Sequence, residues 1–522
     1  MKFSVILLCA LVLTACDPAP DTEGSGTMTR SAQPNIVFIY LDDLGYGDVG
    51  AYGATALATP HMDALAAGGR RFTNGYAASA TCTPSRYALL TGVYPWRNRE
   101  ARILPGTAPL IIDTNRLTVP RMLQRNGYHT GVVGKWHLGL GTGNVNWNTL
   151  VSPGPNEVGF DYSYIMAATQ DRVPTVYLEN GQVVGLDPAD PIEVDYENNF
   201  PGEPTGKDNP ELTTMKWHHG HNNSIVNGIP RIGFMKGGQA ARWSDIDMAD
   251  HFLERAQAYV RAHREEPFFL YYALQQPHVP RTPHPRFVGK SGMGPRGDVI
   301  VEADWAIGAF IGTLREEGLL ENTLIVLSSD NGPVLNDGYY DQAVELVGDH
   351  QPAGPLRGGK YSLYEAGTRV PFITYWEGRI APGVSDALVS QLDLLPSLAA
   401  LVGAGAVSDT IDGQNLLSTF LGTDSGQGNQ GRDHLVLEAT SRTALRSGSW
   451  LMIPPYPGPA VQSQVNIELG NAPEYQLYDL SEDIGQQRNL AAEHPEKLRE
   501  MVQTYHQIRG VEAVETELLR LE

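Results

Sequence analysis

Short apolar, β-branched and aromatic runs recur along the chain at 35–40, 131–134, 267–274, 323–327 and 371–375. They lack the alternation of a strand with one face in water. They read instead as strands buried on both faces, the pattern of a parallel sheet covered by helices. Segments with helical spacing lie between and around them, at 60–67, 117–125, 245–264, 299–317 and 391–402. Met248, Phe252, Ala256 and Val260 form one apolar stripe, and Ala303, Ile307, Phe310 and Ile311 another. The expected fold is α/β, with a large mixed, mostly parallel sheet flanked by helices. Near residue 432 the rhythm changes. Strand-like stretches at 435–437, 443–446, 450–453 and 475–479 alternate with turn residues before a helix at 493–509. They predict a small C-terminal antiparallel sheet with a packed helix.

In open α/β sheets, ligands bind beyond the carboxyl ends of the strands. Here four runs end in Asp42-Asp43, Lys135-x-His137, His278 and Asp330-Asn331. Adjacent carboxylates at such an edge suit a hard divalent cation with oxygen ligands. They also serve as turn or helix-cap residues. Each ending has a structural explanation of its own. Four polar endings on one edge point to a ligand face.

The stretch 81–92 reads Thr-Cys-Thr-Pro-Ser-Arg-Tyr-Ala-Leu-Leu-Thr-Gly. Pro84 fits the first turn of a helix, which puts Cys82 at the N-terminus. Arg86, four residues on, shares its face. Free N–H groups, the helix dipole and a guanidinium there make a site for an oxyanion. Cys-x-Pro alone is as well read as a small buried residue. The full string Cys82-x-Pro84-Ser85-Arg86 with Leu90-Thr91-Gly92 resembles the signature of the type I, formylglycine-dependent sulfatases of the alkaline phosphatase superfamily. The stretch 475–483 also resembles the C-terminal subdomain of bacterial sulfatases.

That resemblance implies an alkaline phosphatase-like fold and hydrolysis of sulfate esters. It implies that a formylglycine-generating maturation enzyme converts Cys82 to formylglycine. It implies one Ca2+ held by Asp42, Asp43, Asp330, Asn331 and the modified Cys82. Arg86 then steadies the formylglycine hydrate, and Lys135, His137, His278 and Lys360 surround the sulfate. In the implied chemistry one hydrate hydroxyl attacks sulfur with help from Asp330. His278 protonates the leaving alcohol, and His137 takes the proton of the second hydroxyl as sulfate departs. Thr169 stands where the family carries a serine near the substrate. A phosphonate monoester or phosphodiester hydrolase of the same superfamily is one alternative, against which Lys135-x-His137 and Gly359-Lys360 weigh. A non-catalytic, glycan-binding lipoprotein is the other.

The polar segment 141–242 and the pocket rim are expected to set the substrate. Residues 216–223 read Lys-Trp-His-His-Gly-His-Asn-Asn. Three histidines so close invite zinc, but no cysteine and no regular helical spacing support it. A sugar pocket and an ordinary loop both fit. His218, His221 and Arg281 are the candidate sugar contacts beside Thr169. The run resembles bacterial exo-acting sulfatases of galactose-type sugars in polysaccharides, O6 among the sulfated positions.

The chain carries 38 Lys and Arg against 59 Asp and Glu, a net charge of -21. That excludes a general nucleic-acid partner, while a local cationic pocket for an anionic substrate remains open. At the start, Lys2 precedes an apolar stretch at 5–13, too short to span a bilayer, and then Leu13-Thr14-Ala15-Cys16. This looks like a bacterial lipobox. It implies cleavage before Cys16, lipidation of Cys16, and an exported periplasmic or cell-surface lipoprotein tied to the membrane only by its lipid. Plain secretion is the alternative. The organisation expected is a signal peptide at 1–16, a tether at 17–33, a catalytic domain at 34–430 and a C-terminal subdomain at 431–522. Of the three cysteines only Cys82 then remains in the folded body, which leaves no internal disulfide.

Overall fold

The computed structural model describes Met1 and residues 33–405, 407, 412–423 and 431–510. The leader, Cys16 and nearly all of the tether lie outside the described residues. A ten-stranded sheet organises the rest. From one edge its strands are Gly383–Ser390, Arg70–Tyr76, Phe372–Tyr375, Thr323–Ser329, Asn35–Leu41, Phe268–Ala273, His129–Lys135, Tyr162–Met166, Tyr177–Glu179 and Gln182–Val183. The five from Thr323–Ser329 to Tyr162–Met166 run parallel. Phe372–Tyr375 runs antiparallel to both of its neighbours, and the last two strands form a hairpin.

Every residue of Asn35–Leu41 is buried. Successive side chains of a strand point to opposite faces. Ile36, Phe38 and Tyr40 accordingly join one core with the helices Cys82–Thr91, Val119–Arg125 and Leu394–Leu401. Val37, Ile39 and Leu41 join the other, with Pro60–Gly68, Met248–Ala262 and Gly294–Glu316. Each large apolar side chain so buried contributes ~1.5–3 kcal/mol. This is the expected helix-flanked, mixed and mostly parallel sheet. Three strands carry no plain apolar run and escape a reading by pattern: Arg70–Tyr76, Tyr162–Met166 and Gly383–Ser390. Arg70–Tyr76, for instance, has only three of its seven residues buried, so polar side chains are tolerated there.

The C-terminal strands His434–Ala439, Arg442–Ser447, Trp450–Ile453 and Gln476–Asp479 form an antiparallel sheet. Leu498, Met501, Val502 and Tyr505 of the helix Pro495–Arg509 pack into its core together with Tyr76, Ala78 and Ala80. The backbone of Glu438 accepts from Ala80 N at 2.7 Å and donates to Ala78 O at 3.3 Å. The small sheet therefore pins the segment that leads into Cys82.

Candidate active site

Parallel register sets the geometry. Leu41 pairs with Ser329, so Asp42 and Asp330 emerge side by side, with Asp330 N donating to Leu41 O at 3.1 Å. Asp43 follows with a left-handed backbone, φ 65°. A continued strand would send Asp42 and Asp43 to opposite faces. The left-handed turn breaks that alternation and brings both carboxylates into one cluster. Arg70–Tyr76 runs in the same sense as the parallel block, so Cys82 reaches the same edge at the first residue of its helix. Thr83 Oγ1 ties that first turn to His137 O at 2.8 Å. Gly92, φ 65°, closes the helix by donating to Ala88 O.

Four carboxylates and three cations interlock at this edge. Lys135 Nζ lies 2.6 Å from Asp42 Oδ2 and 3.7 Å from Asp330 Oδ2. Arg86 donates to Asp330 Oδ2 through Nε at 3.0 Å and Nη2 at 2.8 Å. Its guanidinium also reaches Lys135 O and Tyr271 Oη and lies over the Tyr40 ring. Lys360 Nζ bridges Asp43 Oδ2 and Asp337 Oδ2, both at 2.9 Å. Asn331 Nδ2 donates to Asp43 Oδ1 at 2.7 Å.

Two oxygens stand out. Asp42 Oδ1 and Asn331 Oδ1 are buried and make no hydrogen bond. One donor atom each of Asp42, Asp43, Cys82 and Asp330 lies within 4.8 Å of the others. Burial, with the neighbouring Asp330, pushes the Asp42 carboxyl up to about 6 against the pull of Lys135. Clustered hard oxygens with orphaned lone pairs fit a calcium-type cation, which would satisfy them and relieve that penalty. Burial also pushes the Cys82 thiol far up, so an unmodified Cys82 is no thiolate nucleophile.

The two histidines present different nitrogens. His137 Nε2 faces Leu104 O at 2.9 Å, and a carbonyl can only accept, so Nε2 carries the hydrogen. Nδ1 is left with a free lone pair and no partner. Burial and then Lys135 hold His137 well below its ordinary range, so it stays neutral. His278 donates from Nδ1 to Val279 O at 2.7 Å and turns Nε2 to 3.9 Å from Asp43 Oδ2.

Cys82, His137, His278 and Lys360 line a cavity of about 180 Å³ whose other walls include Asp171, Arg172, His221, Asp337 and Tyr361. Of the sugar contacts expected from sequence, His221 lies in this wall, donating through Nε2 to Asp171 Oδ2 at 2.8 Å. Thr169 stands behind the wall, bonded to Asp171 and to Arg172 Nη1. His218 is turned away, its Nε2 accepting from Gly338 N at 3.1 Å. Arg281 is buried and fully occupied by Asp341 and the carbonyls of Pro277, Val334 and Leu335. Neither residue lines the cavity. Sequence reasoning passed over Asp171, Arg172, Asp337 and Tyr361. Asp171-Arg172 follows the strand Tyr162–Met166, and recognising that strand would have found the pair. Arg172 and His221 hold Asp171 well below the usual carboxylate range in spite of its burial. Tyr361 sits at φ 74°, a strained conformation for a residue with a side chain.

A fold with this edge and this cluster has the form of an enzyme centre for a tetrahedral oxyanion ester. The sulfatase family model matches residues 34–404. An N-acetylgalactosamine-6-O-sulfatase of Bacteroides thetaiotaomicron is 49% identical over 501 residues, covering 95% of this chain and 97% of that protein. Human arylsulfatase A is 33% identical over 496 residues, covering 92% and 88%. A Bacteroides thetaiotaomicron structure, solved in work on the metabolism of multiple glycosaminoglycans, superimposes with a TM-score of 0.89 at 50% identity. It covers 92% of this chain and 99% of that one. The chain belongs to the sulfatase family, the sulfuric ester hydrolases.

Proposed function

We propose that this sulfatase removes the 6-O-sulfate of a terminal galactose-type sugar, N-acetylgalactosamine foremost, from a sulfated polysaccharide. The near-full-length similarity to an N-acetylgalactosamine-6-O-sulfatase supports the sugar and the position. The observation that carries the chemistry is the buried cluster that reaches the cavity through Cys82 and Lys360, where Cys82, the carboxylates of Asp42, Asp43 and Asp330 and the cations Arg86, Lys135 and Lys360 meet. Asp42, Asp43, Asp330, Asn331 and residue 82 would hold Ca2+, which supplies charge neutralisation for the sulfate oxygens. Formylglycine at position 82, made by a dedicated maturation enzyme, supplies a hydrate with one hydroxyl to attack sulfur and one to release it.

The side chains do the rest. Asp42 and Asp337 hold Lys135 and Lys360 above their ordinary range in spite of burial, so both ammonium groups stay charged and grip sulfate oxygens. Arg86 fixes the orientation of Asp330. His278 Nε2, on the cavity side, delivers a proton to the leaving sugar oxygen. His137 Nδ1 accepts the proton whose loss expels sulfate, its lone pair kept free by the Leu104 anchor. Asp171, Arg172 and His221, all in the cavity wall, would meet the sugar hydroxyls. The protein is exported as a lipoprotein through Leu13-Thr14-Ala15-Cys16, with residues 34–430 catalytic and 431–522 a supporting subdomain. No described helix is long and apolar enough to cross a membrane.

The test is release of sulfate and phosphate by protein co-expressed with a formylglycine-generating enzyme, with Cys82→Ala and Cys82→Ser beside it. The substrates are 2-, 3-, 4- and 6-sulfated galactose and N-acetylgalactosamine, an aryl sulfate and an aryl phosphonate. Turnover of the 6-sulfates, absent in both variants, is expected. Multiple turnover by Cys82→Ala would sink the mechanism. Phosphonate cleavage far above every sulfate would move the protein to the phosphonate hydrolases.

A further inference from the structure

The end of the sheet opposite the catalytic edge holds a second cluster of ligating side chains. His129 begins the strand that ends in Lys135, and it pairs in register with Phe268 of the strand that leads to His278. His263 caps the helix Met248–Ala262, donating from its backbone to Tyr259 O and Val260 O. Glu266 follows in a tight turn closed by Glu266 N to His263 O at 3.2 Å, and Pro267 O accepts from His129 N at 3.0 Å. Three anchored backbone positions thus present three side chains to one point.

His129 Nε2 lies 2.8 Å from Glu266 Oε2. The His129 and His263 rings stack at 4.6 Å and 22°. One ligand atom of each of the three lies within 4.8 Å of the others. The side chains of His129 and Glu266 remain 41% and 59% exposed, so ions and water reach them. A surface imidazole–carboxylate pair contributes only ~0–1 kcal/mol and does not account for a second imidazole laid against the first. Burial and the neighbouring His129 both press His263 toward its neutral, ligating form. The negative end of a fifteen-residue helix, with Asp161 close enough to act on His263, favours a cation here.

We propose that His129, His263 and Glu266 bind one divalent transition-metal ion of the zinc class, with water completing its shell. Two imidazoles are borderline donors that hard cations take up poorly, and with one carboxylate beside them they select Zn2+, Ni2+ or Cu2+ over Ca2+ and Mg2+. The ion takes the place of the direct His129 Nε2–Glu266 Oε2 contact. Bound there, it staples the end of a helix to the strand that carries Lys135 at its far end. It binds the folded chain alone and raises its stability.

The test is calorimetric titration of the chelator-treated full chain with Zn2+, in excess Ca2+ so that the carboxylate cluster is filled. Wild type, His263→Ala, Glu266→Gln and His219→Ala are compared, with Tm read at each zinc concentration and Co2+ absorption as a second probe. We expect one saturable equivalent, a Tm rising with the logarithm of free Zn2+, and affinity lower by about tenfold or more, about 1.4 kcal/mol, in His263→Ala and Glu266→Gln. Metal-free Tm and sulfate-ester turnover should match wild type in both. Equal isotherms for wild type and His263→Ala, loss of binding only in His219→Ala, or no saturable binding would each overturn the proposal.

Discussion

Asp42 and Asp48 share one loop and are equally buried, yet their surroundings are opposite. Both oxygens of Asp48 are occupied. Arg296 donates through Nη1 at 2.9 Å and Nη2 at 2.6 Å, His350 Nε2 lies at 2.8 Å, and Gly45 N donates at 2.8 Å. Arg296 and His350 hold the Asp48 carboxyl below the ordinary range although burial acts against them. Asp42 has one oxygen on Lys135 and one with no partner, and its carboxyl is pushed up. The closed cluster pins the loop to the helix Gly294–Glu316 and is complete. The open cluster is incomplete without something the chain does not itself provide. A buried carboxylate by itself says little about function; an unpartnered oxygen within a cluster of other ligating groups says much more.

Substitutions at the two positions should separate cleanly. Asp42→Asn should lower kcat/KM for a sulfate ester by on the order of 10²–10³ and weaken Ca2+ binding, measured by steady-state kinetics and calcium titration. Asp48→Asn should instead cost stability, about 3–5 kcal/mol, by leaving Arg296 buried without its countercharge. Chemical denaturation reads that loss, while kcat per folded molecule should hold. Equal losses of kcat at both positions would erase the distinction.

The metal-free protein offers a subtler contrast. Folded Asp42 keeps its proton to about 6, above its ordinary value, whereas the unfolded chain releases it earlier. The folded state therefore binds more protons in that window, and stability falls as pH rises through it. Denaturation in chelator should show this slope between about pH 4 and 6. Asp42→Asn or added Ca2+ should flatten it.

The smallest effect lies outside the cluster. Burial pushes Glu438 up to about 8, and its Oε2 has no partner. By the same sign, stability falls as pH rises from its ordinary value of 4.5 toward 8. Glu438→Gln should raise stability at pH 8 by roughly 1–3 kcal/mol, with no gain at pH 5, as read by Tm at the two pH values.

Much of this arrangement was legible in the chain. A strand buried on both faces must be apolar throughout, so the central strands announce themselves, and the residues that follow them mark the edge where ligands gather. Asp42, Asp43, Lys135, His137, His278, Asp330 and Asn331 all lie within a few positions of such a strand. The rim was legible only in part: His221 and Lys360 were expected and line the cavity, while their partners Asp171 and Asp337 were not. Asp337 and Lys360 meet across a long loop, and Asp171 meets His221 from a segment with no repeat or period. Arg281 has the donors of a sugar contact, but they are spent inside the protein.

The sequence by itself determined the central strands of the sheet, its covering helices, the cysteine at a helix start and the set of polar strand endings. These depend on local periodicity and on which residues tolerate burial or a helix N-terminus. Only the tertiary structure decided which carboxylate keeps an open oxygen, which imidazole nitrogen keeps its lone pair, and which cations face the cavity. Hydrogen-bond partners come from segments far apart in the chain, and a polar atom's chemistry is set by whatever the fold places beside it.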